Sequence, residues 1–105
     1  MAQDLDLTVV TMVFDGGDQA GPLGQVLARY VVLSRTEPGC RNVDLCHSRT
    51  RPGRFLVVEK WESPKAHRAH LDAEATVRMA EQCRALGVAR PEVDAFDAIS
   101  AHDLR

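Results

Sequence analysis

His67 and His70, three residues apart and shortly after Trp61, are the side chains whose types and spacing best fit chemistry. Residues three apart on a helix are surface neighbours, so the two imidazoles would share one side of it. His67 is flanked by Lys65 and Arg68 near the start of that helix, where the helix dipole and the two cations favour the neutral ring. Neutral imidazole is what a general base needs, which makes His67 the expected base and His70 its substitute. The plainer alternative is one solvated histidine and one packed, hydrogen-bonded one. Glu74 lies four residues beyond His70, but three groups from one helical region without a further ligand do not make a metal site, and none is expected. Asn42, Asp44, His47 and His102 fall on strand-like segments, where Asn42 and Asp44 read as solvated or interfacial.

These histidines are positioned by a strand that runs directly into a helix. In Phe55-Leu56-Val57-Val58-Glu59-Lys60-Trp61-Glu62, alternation puts Phe55, Val57, Glu59 and Trp61 on one face and Leu56, Val58, Lys60 and Glu62 on the other. Ser63 follows as an N-cap and Pro64 as the first helical residue. Almost no loop is left, so Trp61 and the helical turn bearing His67 must lie close together. Trp61 is either a core residue or the wall on which an aromatic ring stacks.

The remaining elements follow from periodicity. Leu5 to Phe14 reads as a strand ended by Asp15-Gly16-Gly17-Asp18. Gly21-Pro22 opens a helix with Leu23, Val26, Leu27, Tyr30, Val31 and Ser34 on one stripe, terminated by Pro38-Gly39. Tyr30 thus points at the sheet, as a core residue with a polar tip or as a donor to a ligand's oxygen. Cys40 to Ser48 alternates, and Arg51-Pro52-Gly53-Arg54 turns it into the next strand as an antiparallel hairpin. Helices are expected over Pro64 to Leu71 and Ala73 to Leu86, broken near Asp72, the second carrying Val77, Ala80, Cys83 and Leu86 before Gly87 stops it. Glu92 to His102 is the last strand. The order β-α-β-β-α-β predicts an α+β, ferredoxin-like domain: a four-stranded antiparallel sheet with helices on one face. The uncovered face, partly apolar, calls for a second copy of the chain.

A chain of 105 residues with 45% hydrophobic and 27% charged content is one domain, residues 1–105, with a single core. A net charge of −2 with scattered Lys and Arg excludes a basic nucleic-acid face. No apolar run approaches membrane-spanning length, and Met1-Ala2-Gln3-Asp4 lacks the marks of a signal peptide, which predicts a cytoplasmic protein. Cys40, Cys46 and Cys83 cannot all pair and show no Cys-x-x-Cys spacing. They read as free thiols, with Cys83 in the core and with Cys40 and Cys46 on the same side of their strand.

Glu37-Pro38-Gly39-Cys40, Glu59-Lys60-Trp61-Glu62-Ser63 and Ala69-His70-Leu71, in this order over nearly the whole chain, resemble the antibiotic biosynthesis monooxygenase family, which forms dimeric α+β barrels. The resemblance implies a homodimer and a pocket between sheet and helices. In the anthrone-oxidising branch, the tryptophan at this junction has an asparagine four residues before it and a tyrosine six after; here Val57, Trp61 and His67 stand at those positions. The haem-degrading branch has an asparagine in the first strand, a tryptophan where His70 stands and a histidine where Ala80 stands, so haem degradation is not expected. What the family implies is a cofactor-independent monooxygenase, taking dioxygen and an electron-rich aromatic substrate such as an anthrone or quinol. His67, His70 and Trp61 would be the catalytic residues and Tyr30, Phe55 and Val57 the substrate-binding lining. A non-catalytic dimeric small-molecule binder and an isomerase of a small carbonyl compound are the other classes the same residues would serve.

Overall fold

The computed structural model describes residues 7–101. Strand β1, Thr8–Asp15, buries every second residue, as a strand with one face on a core must. A 3-10 turn at Gly17–Gln19 leads into α1, Ala20–Ser34, which turns Leu23, Leu27, Tyr30, Val31 and Ser34 inward. Strands β2, Cys40–His47, and β3, Arg54–Trp61, form the expected hairpin. Helices α2, Pro64–Leu71, and α3, Glu74–Ala85, follow, and β4, Glu92–Asp97, completes the chain.

The sheet order is β2-β3-β1-β4, and each neighbouring pair is antiparallel. This is the α+β, ferredoxin-like arrangement, with all three helices on one face. The register sets Val10 opposite Glu59, Met12 opposite Val57 and Phe14 opposite Phe55; these inner residues, with Leu23, Leu27, Val43 and Trp61, make the core. On the outer face Val9, Thr11 and Val13 stand beside Lys60, Val58 and Leu56, and Phe96, opposite Val9, is 50% exposed.

Several sequence expectations shift. The first helix begins at Ala20 and stops at Ser34, before Pro38-Gly39, because two turns spend the residues between helix and strand. The last strand ends at Asp97: Ala98 to Ala101 is not strand, and His102 lies outside the described residues, as do Leu5 and Asp6 of the expected first strand. The buried residues of α3 are Met79 and Cys83; Val77 is 46% exposed and Ala80 is exposed too. Cys40 and Cys46 do not share a side. The register slips between Cys40 and Asn42, so Cys40 pairs with Trp61 on the inner face while Cys46 pairs with Leu56 on the outer. An extra residue in one strand reverses the parity of everything beyond it.

Candidate functional site: a buried carboxylate, tyrosine and histidine network beside Trp61

The strand-to-helix junction is built as its residues dictate. Ser63 Oγ accepts from the Ala66 amide at 3.1 Å, with Pro64 in the first turn, a cap of about 1 kcal/mol. The preceding turn is tied to this junction by the Glu62 amide, which donates to the Gly39 carbonyl at 2.8 Å. Gly39 has φ +80°, and a Cβ there would stand 2.5 Å from Ala66 Cβ. Only glycine lets the Glu37-Pro38-Gly39 turn press this closely on α2, and the close approach delivers Glu37 to His70.

His70, 2% exposed, is the hub. Its Nδ1 lies 2.7 Å from Glu37 Oε1 and its Nε2 2.6 Å from the Tyr30 hydroxyl. The same hydroxyl is 2.5 Å from Glu59 Oε2, and Glu59 Oε1 accepts from Trp61 Nε1 at 2.9 Å. The indole and His70 rings lie 4.4 Å apart between centroids. Thr76 Oγ1 donates to the His70 carbonyl at 2.7 Å, pinning the end of α2 to α3.

Counting protons limits what this chain of groups can be. A carboxylate only accepts and a neutral imidazole has one donor and one acceptor nitrogen. If Tyr30 donates to an ionised Glu59, its oxygen accepts from His70 Nε2–H, and Nδ1 either donates to Glu37 from a cationic imidazole or accepts from a protonated Glu37. If Tyr30 donates to His70, Glu59 must hold a proton to donate in turn. These arrangements carry the same number of protons and the same charge. They differ by proton transfer along Glu59, Tyr30, His70 and Glu37. Burial, and next the Glu59 carboxylate, hold the Tyr30 phenol far above its ordinary value, so tyrosinate takes no part. Glu37, part-exposed, lines a cleft of about 360 Å³ between α1 and α3 and is the end of the network nearest solvent.

The sequence-predicted residues divide accordingly. Trp61, His70 and Tyr30 meet in this network. His67 is half-buried, its ring 6.4 Å from that of Trp61 and from that of His70. Burial pushes its pKa below 6.5, helped by His70 and Arg68 and opposed by Glu59; the direction expected from sequence holds, but desolvation is its first cause. Val57 is fully buried core, and Phe55 packs its ring 4.9 Å from that of His47. His47 Nε2 accepts from the Gly53 amide and serves the hairpin turn. Among the described residues, cavities of about 500, 350, 400 and 360 Å³ are lined by none of Trp61, His67, His70, Tyr30 and Val57. No cluster of metal-ligating side chains occurs among the described residues, and no helix among them is long and apolar enough to cross a membrane. Sequence reasoning gave no role to Glu37 or Glu59. The alternation that turned Trp61 inward turned Glu59 inward with it, and a carboxylate on a core-facing parity is the signal that was available.

The chain is similar to solved structures over almost its full length. A protein from Deinococcus radiodurans, provisionally described as an antibiotic biosynthesis monooxygenase, superposes with a TM-score of 0.82 at 22% identity, covering 94% of this chain and 98% of its own. SnoaB from Streptomyces nogalater, described as a cofactor-independent oxygenase, gives 0.80 at 20% identity, covering 91% and 96%. A protein from Shewanella oneidensis gives 0.82 at 24% identity, covering 93% and 96%. At these identities the likeness shows the fold. Curated protein sequences contain no match. The sequence profile of the antibiotic biosynthesis monooxygenases matches residues 7–82, which spans the Glu37 turn, the Glu59–Trp61 strand end and His70, and the chain belongs to that family.

Proposed function

We propose that the protein is a cofactor-independent monooxygenase that oxidises an electron-rich aromatic compound, an anthrone or quinol, with dioxygen. The observation that carries this reading is a half-buried imidazole, His67, held toward its neutral form beside Trp61. Family membership and the likeness to SnoaB support it.

The reaction balances without a cofactor. His67 takes a proton from the acidic C–H of the anthrone, and the carbanion transfers one electron to dioxygen. The radical pair combines as a C–O bond and the peroxide is protonated. Loss of the remaining C–H proton with O–O cleavage leaves a carbonyl and one water. The substrate meets His67 at its exposed edge, with Trp61 behind it. His70, both of whose ring nitrogens are engaged, acts by fixing Tyr30 and the indole rather than by touching the substrate.

An oxygen-electrode assay over a panel of anthrones and hydroquinones tests the reading. A general base contributes about 10²- to 10⁴-fold, so His67→Ala should slow oxygen uptake by that order with an unchanged melting temperature. Unchanged turnover removes His67 from the role. Thermal stabilisation by the same compounds without oxygen uptake makes the protein a binder, and product formed without oxygen makes it an isomerase.

A further inference from the structure

A second place where space and charge coincide lies at the other end of the sheet. Trp61 is level with Thr8, whereas Phe14 is level with Phe55, six residues or roughly 20 Å further along β1. Over Phe14 a cavity of about 350 Å³ opens against α3, with Met79, Cys83 and Val88 as apolar lining and Arg84 and Arg90 as its charged members. Such a volume suits a small organic ligand.

The fold explains why this space exists. No helix among the described residues covers β4, all of whose residues are exposed although Val93 and Ala95 share the inner parity with Met12 and Val10. The chain leaves α3 through a closed terminal turn: Val88 N–H donates to the Cys83 carbonyl and Gly87 N–H to the Arg84 carbonyl, with Gly87 at φ +74°. That pattern satisfies the last carbonyls of the helix. It thereby weakens the negative pole that would otherwise repel an anion, and it carries Val88 to Pro91 across as a wall.

Among the described residues the guanidinium groups of Arg84 and Arg90 have no hydrogen-bond or ion-pair partner, and both residues are exposed. The acids of β4, Glu92 and Asp94, stand opposite Val13 and Thr11 and belong to the outer face. Burial pushes the Cys83 thiol up, so it sits in the lining as a neutral apolar group.

We propose that this cavity binds an apolar monocarboxylate, its hydrocarbon body against Phe14, Met79 and Val88 and its carboxylate held by Arg84 and Arg90. The site is separate from the Trp61 end and does not depend on the oxygenase reading.

Titration calorimetry with 2-naphthoate and its neutral isostere 2-naphthamide on the full chain decides it. The wild type should bind naphthoate saturably, one per chain. The amide should bind about tenfold or more weaker, the measure of one charge-assisted hydrogen bond of about 1.4 kcal/mol. Arg84→Gln with Arg90→Gln, two surface changes that spare the core, should bring naphthoate down to the amide's affinity. Ala80→Trp, from an exposed residue that also lines the cavity, should abolish binding of both. The proposal is overturned if the wild type shows no saturable naphthoate binding, if the double variant binds naphthoate as the wild type does, or if Ala80→Trp leaves the titration unchanged.

Discussion

Tyr30 stands between two groups that compete for its single proton, Glu59 at 2.5 Å and His70 at 2.6 Å. Tyr30→Phe keeps the ring in the core but leaves both partners without their shared hydrogen bond. Stranding buried polar groups costs about 1–3 kcal/mol each, so the variant should lose a few kcal/mol of unfolding free energy in a denaturant titration. A loss under about 0.5 kcal/mol, within the range of an ordinary surface change, would mean that water replaces the hydroxyl. His67 gives a pH dependence with a definite sign. Its folded pKa lies below the unfolded value of 6.5, so above 6.5 neither state is protonated and it contributes nothing. As pH falls through 6.5 the unfolded chain takes up a proton that the folded chain refuses, and stability is lost until the folded value is passed. His67→Gln should therefore lose less stability than the wild type between about pH 7 and pH 5, as read by melting curves. The acid limb of the rate profile should lie below 6.5 for the same reason.

At the scale of elements, the turn before β2 fixes the site more firmly than the helices do. Gly39→Ala would meet Ala66 Cβ and force a left-handed backbone on alanine. Overpacking and strain of about 1–3 kcal/mol each should lower the melting temperature and pull Glu37 from His70; an unchanged Tm would show that α2 yields freely. The strands and helices were legible because periods of two and 3.6 are written in side chains such as Val10, Met12 and Phe14, or Leu23, Leu27 and Tyr30. The stripe of α3 was misread by stepping in threes: 77, 80, 83 and 86 drift about 60° per step around a helix of 3.6 residues per turn. Val77 therefore ends on the far side from Leu86, and Met79 takes the inward place. The network was half legible. Parity turned Glu59 inward with Trp61, but that Glu37 and His70 meet it depends on the tight seat of Gly39, which no single-segment pattern contains.

For the whole molecule, the outer sheet face is where we expect assembly. Val9, Val13, Leu56, Val58 and Phe96 lie on that face, and at about 25 cal/mol per Å² covering it would rival the net stability of a small domain. We expect a two-fold dimer through this face. Light scattering at low micromolar concentration should give twice the 11.6 kDa chain mass, and Val58→Lys should return the monomer; a wild type that stays monomeric would rule the interface out. The one-residue slip at the start of β2 also sorts the thiols by reactivity. Cys40 and Cys83 are each 7% exposed, while Cys46 stands on the outer face. A maleimide should thus modify one thiol in the folded protein and three after denaturation. Because that one thiol lies on the face a partner would cover, its rate of labelling should climb on dilution, turning a strand irregularity into a built-in gauge of association.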